Sequence, residues 1–116
     1  MALNTIWHNP RCSKSRTALN LLKDRSIDVK VFYYLNESIN YEDLVSLVKK
    51  LSIPTIELVR TNEKIFRAVD LNLSSKDEEL IQLMLQNPIL IERPIVVAGE
   101  RAIIGRPPDR VLELFC

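Results

Sequence analysis

Glycine and cysteine are scarce in this sequence, and each shortage excludes a class of site. Only two glycines occur among 116 residues, which excludes the glycine-rich loops that hold phosphate groups in nucleotide-binding proteins. The two cysteines, Cys12 and Cys116, stand at opposite ends of the chain. Two cysteines at that separation make neither a disulfide framework nor a cluster with zinc-ligand spacing.

Long apolar runs and a strong net charge are also absent. No apolar run approaches the ~18 residues that a membrane span needs, and the N-terminus has no signal-peptide pattern. The formal net charge is +1, which gives no general attraction to nucleic acid. We therefore expect one globular domain over residues 1–116, with neither a membrane nor a nucleic-acid partner. We expect it in the reducing cytoplasm, where a lone thiol stays available for chemistry.

Acidic residues are missing from the start of the chain, where the first one is Asp24. The segment "HNPRCSKSR", residues 8–16, contains Cys12 and the only histidine, His8. It also carries three cations, Arg11, Lys14 and Arg16. A cysteine surrounded by cations and by no acid is typical of a thiol that reacts as the thiolate.

Hydrophobic periodicity predicts alternating strands and helices. Strands are predicted over 4–8, 29–34, 94–98 and 101–105, the last two as a hairpin around Gly99-Glu100. Helices are predicted over 13–25, after an N-cap at Asn40, and from Pro54 to about Arg60. A further helical piece is predicted around Ile65, Phe66 and Val69. The last two helices are predicted from a Ser75–Glu78 capping box up to Asn87-Pro88, and over "PPDRVLELF".

The order of these elements predicts a topology. A right-handed crossover makes the first two strands parallel, and the hairpin adds two antiparallel strands on the other side. We therefore predict an α/β protein with a thioredoxin-like fold. Its mixed four-stranded sheet is flanked by helices, and a helical segment is inserted between the second strand and the C-terminal hairpin.

Cys12 lies on the predicted loop between the first strand and the first helix. Unpaired N–H groups at a helix N-terminus carry about half a positive charge, which lowers the pKa of a nearby thiol. Cations at that end of a helix cost about 0.3–1 kcal/mol each. Arg11, Lys14 and Arg16 therefore indicate that something negative binds there, either a thiolate or an oxyanion.

Structural interpretations of the same residues stay open. A lone cysteine is often a buried hydrophobic residue, His8 is also compatible with an ordinary strand end, and the three cations are also compatible with a solvated surface. Ser15 either bonds a sulfur or faces solvent. Because "CSKS" places a serine where a dithiol centre has its second cysteine, Cys12 needs an external thiol such as glutathione to resolve it.

Three segments together resemble one family. "HNPRCSKSR", "PILIERPIVV" and "IGRPPDRVLEL" are similar to the arsenate reductases that use glutathione and glutaredoxin, and most of all to the short members of that family. The resemblance runs from "IWHNP" to "VLEL". It implies an oxidoreductase with a thioredoxin-like fold and an inserted helical segment, arsenate as substrate, glutathione as co-substrate, glutaredoxin as partner, and no bound cofactor or metal.

The resemblance also implies roles for individual residues. The nucleophile that attacks arsenate matches Cys12, and the histidine that favours its thiolate matches His8. The arginines that bind the oxyanion match Arg60, Arg93 and Arg106. The cis-proline beside the active site of thioredoxin-like folds matches Pro94, and Arg11, Ser15 and Arg16 are expected to support the site.

Two other functions remain open at this stage. One is a general glutathione-dependent thiol oxidoreductase or redox sensor with little arsenate activity, in which Arg93 and Arg106 bind a glutathione carboxylate or a peptide. The other is a non-enzymatic redox regulator that binds a protein partner. Regulators of that type in the same superfamily have Cys-x-x-Cys at the motif, where this chain has Ser15.

Overall fold

The computed structural model describes residues 4–68 and 76–115. Its strands are β1 (Thr5–Trp7), β2 (Lys30–Phe32), β3 (Ile95–Ala98) and β4 (Arg101–Ile104). Its α-helices are α1 (Ser13–Asp24), α2 (Tyr41–Leu51), α3 (Lys64–Ala68) and α4 (Asp77–Gln86). Three 3-10 helices cover Thr55–Leu58, Pro88–Leu90 and Pro108–Phe115.

The chain divides into two compact units. The sheet unit comprises Met1–Glu37 and Arg93–Cys116, and the helical unit comprises Ser38–Glu92. The predicted inserted helical segment corresponds to the helical unit. The assignment of 1–116 to a single domain remains a prediction.

Within the described residues of the sheet unit, four strands form one mixed sheet in the order β2-β1-β3-β4. β1 is parallel to β2 and antiparallel to β3, and β3 is antiparallel to β4. This is the predicted α/β arrangement, with the hairpin on the far side of β1 from β2. The predicted strands over 4–8 and 29–34 are shorter in the structure, where β1 covers Thr5–Trp7 and β2 covers Lys30–Phe32.

The core of the sheet unit lies between the sheet and two helices. α1 contributes Ala18, Leu19 and Leu22, which lie on one helical face as predicted, and they pack with Ile6 of β1 and Val96 of β3. Val111 of the closing helix completes this core and is fully buried. The closing helix was expected from "PPDRVLELF" and has 3-10 geometry.

In the helical unit, helix boundaries follow local capping. The Oδ1 atom of Asn40 accepts a hydrogen bond of 2.8 Å from the N–H of Asp43, which confirms the predicted cap of α2. Pro54 precedes the 3-10 helix Thr55–Leu58, which ends before Arg60.

Two predictions in this unit involve residues that the structure does not describe. Ser75 and Val69 lie outside the described residues. Only the part of the predicted Ser75–Glu78 capping box from Lys76 onward can therefore be compared with the structure. The acid that accepts from the helix start is Glu79 rather than Glu78, because the helix begins at Asp77, and its Oε1 atom lies 3.1 Å from the N atom of Lys76. Asn87 ends α4 as predicted. No helix within residues 4–68 and 76–115 is long and apolar enough to cross a membrane.

Candidate active site

Cys12 lies at the N-cap of α1, directly after a tight turn that follows β1. Its N–H donates to the backbone oxygen of Asn9 at 3.0 Å, and the Oδ1 atom of Asn9 accepts from the N–H of Arg11 at 3.0 Å. The carbonyl of Cys12 accepts the first helical hydrogen bond, from the N–H of Arg16. Asn9 therefore fixes the turn from both sides, and the thiol is held where the helix leaves N–H groups free.

The pKa of the Cys12 thiol lies below its ordinary value. Partial burial alone would raise this pKa, but four favourable contacts outweigh that effect. The backbone N–H of Ser15 contributes most, followed by the charge of Arg93, the backbone N–H of Lys14 and a hydrogen bond from the Arg93 side chain. The helix N-terminus and one arginine from a distant part of the sequence therefore stabilise the thiolate together.

Arg93 brings unused hydrogen-bond donors to the same place. Its Nε and Nη1 atoms are buried and have no hydrogen-bond partner within the described part of the chain. A guanidinium presents its N–H donors in a planar fork that matches two oxygens of an anion. Buried donors of this kind are costly unless a ligand satisfies them, so Arg93 offers a binding group for an oxyanion beside Cys12.

Arg106 lies next to Arg93 at the end of the hairpin. β3 and β4 pair with Ile95 opposite Ile104, and continuing this register places Arg93 opposite Arg106. The Nε atom of Arg106 donates to the backbone oxygen of Arg93 at 2.9 Å. The two arginines are therefore neighbours across the hairpin, and part of the Arg106 guanidinium supports the Arg93 backbone.

Pro94 and Gly105 are the next pair along the same register. The N–H of Gly105 donates to the carbonyl of Pro94 at 2.8 Å. The Arg93–Pro94 peptide bond is cis, as the resemblance implied, and so is Arg106–Pro107. The start of β3 and the end of β4 are thus joined by one backbone contact and one side-chain contact.

Ser15 connects Cys12 to His8. Its side chain is fully buried, and its Oγ atom accepts from the N–H of Asn9 at 3.1 Å and lies 2.6 Å from Nδ1 of His8. Its backbone N–H meanwhile contacts the Cys12 sulfur. Ser15 therefore does not face solvent, and the group that it offers to the sulfur is a main-chain donor.

The surroundings of His8 favour the neutral form of its imidazole. Burial lowers its pKa from the ordinary value, and the charges of Lys23 and Arg16 lower it further. A neutral ring whose Nδ1 atom accepts the hydrogen of the Ser15 hydroxyl satisfies both groups, because that hydroxyl oxygen already accepts from Asn9. His8 therefore contacts the site through the Ser15 side chain.

The cations of the motif are on the surface. Arg11, Lys14 and Arg16 are all exposed, and Nη1 of Arg16 donates to the carbonyl of Pro10 at 2.8 Å. The cation with the largest effect on the Cys12 thiol is instead Arg93.

Arg60 belongs to the helical unit. Its guanidinium forms an ion pair of 2.8 Å with Glu63, lies 4.0 Å from Glu92, and donates to the carbonyl of Ile89 at 3.2 Å. Its role in binding an oxyanion remains a prediction. Cys116 lies outside the described residues.

Two residues of the site were not anticipated from the sequence. The hydrogen bonds of Asn9 hold Arg11, Cys12 and Ser15 together, and no sequence pattern predicted them. Gly105 was treated only as the end of a strand. The available signal was the residue type itself, because glycine is the usual residue where the backbone approaches another group closely.

The comparisons with known proteins agree with this geometry. The family model described as ArsC family matches residues 7–114. The arsenate reductase of Haemophilus influenzae is 40% identical over 112 residues, which are 95% of this chain and 97% of that protein. The uncharacterized protein YfgD of Escherichia coli K12 is 49% identical over 111 residues, covering 94% of this chain and 93% of its own length.

Among solved structures, the arsenate reductase from Vibrio cholerae matches with a TM-score of 0.91 and 38% identity, covering 97% of both chains. This match confirms the predicted thioredoxin-like fold. The site around Cys12, the family match over most of the chain and the similarity to arsenate reductases together show that the chain belongs to the ArsC family.

Proposed function

We propose that this protein reduces arsenate to arsenite, with glutathione as the co-substrate and with glutaredoxin as the protein that restores its thiol. The observation that carries the proposal is the pair of buried, unpartnered donors of Arg93 beside the Cys12 thiol. A thiolate and an oxyanion repel each other, so a site that reacts them needs a cation which contacts both. Arg93 contacts the Cys12 thiol, and its unpartnered Nε and Nη1 donors support its proposed role toward the oxyanion.

In the first step the Cys12 thiolate attacks arsenic. A sulfur–arsenic bond forms, and one oxygen of arsenate leaves as hydroxide or, once protonated, as water. Arg93 offsets the charge of the remaining oxygens through its Nε and Nη1 donors. The arsenic is still in the +5 state at this point.

In the second step the thiol of glutathione enters. Arsenic accepts two electrons and leaves as arsenite, while the two sulfurs lose one electron each and form a Cys12–glutathione disulfide. A thiolate of glutaredoxin then attacks the glutathione sulfur and releases the Cys12 thiolate. The absence of a second cysteine in "CSKS" fits a mechanism in which the resolving thiol comes from outside.

The surrounding residues would keep this geometry. Arg106 supports the Arg93 carbonyl, and we propose that the rest of its guanidinium also contacts the oxyanion. His8 and Ser15 hold the first turn of α1, whose N–H groups face the sulfur. Arg60 is proposed as a third oxyanion ligand on the strength of the resemblance.

We further propose a cytoplasmic location and no resident cofactor. The reaction consumes reduced glutathione and needs Cys12 to return to the thiolate after each turnover. Both conditions hold in a reducing compartment. The electrons come from the co-substrate thiols, so the proposed steps use no flavin and no metal.

The proposal is tested by arsenate-dependent oxidation of NADPH, coupled through glutathione reductase, with glutathione and glutaredoxin supplied. We expect turnover with the wild-type protein and none with Cys12→Ser. If the rate of NADPH oxidation did not depend on arsenate in either protein, the proposed activity would be contradicted.

Two conservative variants test the oxyanion pocket in the same assay. Arg93→Lys and Arg106→Lys keep the charge and lose the planar fork. We expect each to lower kcat/KM for arsenate at least about tenfold, equivalent to about 1.4 kcal/mol of transition-state stabilisation. Arg101→Lys is the matched control, since Arg101 is an exposed arginine at the start of β4, the strand whose other end precedes Arg106. Wild-type kinetics in both pocket variants would refute the pocket.

A second candidate function is a general glutathione-dependent thiol oxidoreductase or redox sensor. Cys12 is partly exposed and its pKa is lowered, which favours reaction with disulfides and peroxides as well. Arg93 would then bind a carboxylate of glutathione. Fast exchange with glutathione disulfide together with no arsenate turnover would favour this candidate.

A further inference from the structure

Gly105 lies at a close approach between three elements of the sheet unit. It is buried at the end of β4, with Pro94 at the start of β3 on one side and Val111 of the closing helix on another. A Cβ atom at this position would lie 2.9 Å from Cγ of Pro94 and 2.8 Å from Cγ1 of Val111. Carbon atoms in contact normally stay about 3.5–4.0 Å apart, so any side chain here forces a neighbour to move.

The two neighbours differ in what their movement would change. Val111 is fully buried and belongs to the core that α1 and the sheet share, so its displacement costs packing energy. Pro94 has its ring fused to the backbone, and its displacement moves the main chain at the start of β3. Arg93 is the residue directly before it, so the Arg93 side chain would move as well.

Two hydrogen bonds keep Arg93 in register with the end of β4. The N–H of Gly105 holds the carbonyl of Pro94 at 2.8 Å, and Nε of Arg106 holds the carbonyl of Arg93 at 2.9 Å. Both lie beside the close approach of Gly105 to Pro94. A wider spacing at Gly105 lengthens both hydrogen bonds at once.

We propose that Gly105 is a positioning residue for the anion site: its lack of a side chain sets the distance between β4 and Pro94, and so aims the Arg93 guanidinium at Cys12. The inference rests on the proposed function only for its kinetic consequence. Its main consequence is the ionisation of the Cys12 thiol, because Arg93 stabilises the thiolate by its charge and by a hydrogen bond.

The first measurement is the absorbance of the Cys12 thiolate near 240 nm against pH in Gly105→Ala, with Cys12→Ser as the blank. We expect the Cys12 pKa to rise toward its ordinary value, because Arg93 moves away. In the arsenate assay we expect kcat/KM to fall at least about tenfold, since a displacement of about 1 Å is enough for such a loss. A wild-type Cys12 pKa in Gly105→Ala would overturn the proposal.

A double-mutant cycle separates positioning from general loss of structure. If Gly105 acts through Arg93, the Gly105→Ala substitution should have no further effect on the Cys12 pKa when Arg93 is already replaced, as in Arg93→Gln. A purely structural effect would add to that of Arg93→Gln. Additive shifts in pKa would therefore contradict the assigned role.

A second pair of variants removes one of the two clashes. In Gly105→Ala combined with Val111→Ala, the contact with Val111 Cγ1 is gone and that with Pro94 Cγ remains. We expect the double variant to lose less melting temperature than Gly105→Ala and Val111→Ala lose in sum. The Cys12 pKa should stay raised. A return of that pKa to the wild-type value would assign the effect to core packing at Val111 and refute the role of Pro94.

These readouts remain decisive if a variant folds poorly or if the activity is absent. Should Gly105→Ala not fold, the double variant carries the pKa measurement, and failure of both to fold would assign Gly105 to core packing alone and overturn the proposal. A wild-type protein without arsenate turnover would refute the proposed function. The pKa cycle would still decide the role of Gly105.

Discussion

Replacement of Ser15 by alanine removes one oxygen atom from a fully buried position, and the cost can be worked out from its two contacts. The Oγ atom accepts from the N–H of Asn9 at 3.1 Å and bonds Nδ1 of His8 at 2.6 Å. Asn9 and His8 are themselves buried, so water does not readily replace the lost oxygen. Both groups are left without that partner in Ser15→Ala.

Each buried polar group that loses its partner costs about 1–3 kcal/mol, and alanine returns a few tenths as the better helix former. We therefore expect Ser15→Ala to lower the free energy of unfolding by about 2–5 kcal/mol, out of a total of about 5–15 kcal/mol. The Cys12 thiol should respond far less, because the group that Ser15 offers to the sulfur is its backbone N–H, which alanine keeps.

Urea unfolding followed by circular dichroism measures the first quantity, and the thiolate absorbance titration measures the second. Ser13→Ala is the matched control, since Ser13 is exposed in the same first turn of α1. We expect this control within about 0.5 kcal/mol of the wild type. If Ser15→Ala destabilised the protein no more than Ser13→Ala does, the buried network of His8, Ser15 and Asn9 would be refuted.

The burial of Ser15 was readable from the sequence. The predicted apolar face of α1 carries Ala18, Leu19 and Leu22, and a residue three positions before the first of them lies on that same face. Ser15 is that residue. A serine on a buried face must find hydrogen-bond partners, so its contact with another polar group near the N-terminus of α1 was a consequence of periodicity.

The pairing of Arg93 with Arg106 was also within reach of sequence reasoning, because a hairpin turn fixes the register of the strands that flank it. The approach of Arg93 to Cys12 followed instead from the expected thioredoxin-like arrangement, since it depends on which strand lies beside β1. In the structure β3 does, with Trp7 opposite Ile95, and continuing that register brings Arg93 level with Asn9. A contact between the two ends of the chain is a property of the topology, so periodicity alone does not give it.

Local chemistry limited the predictions in the helical unit. Glu78 and Glu79 are adjacent acids at the start of α4, and either satisfies the spacing rule within one residue, so the sequence did not decide which accepts from the backbone. The 3-10 segments at Thr55–Leu58 and Pro88–Leu90 are too short to show a hydrophobic period. Pro54 and Pro88 indicate where these two segments begin, but not how far they extend.

Two further outcomes concern the thiols. Because the proposed mechanism takes its resolving thiol from glutathione, mass spectrometry after mild peroxide should show no Cys12–Cys116 disulfide; its formation would contradict that mechanism. Stability should also depend on pH through Cys12, whose folded-state pKa is lowered by the backbone N–H of Ser15 and by Arg93 against the opposing effect of burial. Between the folded and the unfolded pKa the unfolded chain binds more protons, so the free energy of unfolding rises with pH in that interval. This contribution is fully present above the unfolded pKa and is lost as the pH falls through the folded one. His8, with its lowered pKa, adds a loss of stability below about pH 6.5, where the unfolded imidazole is protonated first. Between about pH 5 and about pH 9 the urea midpoint should therefore increase with pH in two intervals, one at the acid end through His8 and one at the alkaline end through Cys12. Cys12→Ser should abolish only the alkaline rise. An alkaline rise that persists in Cys12→Ser would assign it to another group and would remove the evidence that the fold itself stabilises the thiolate.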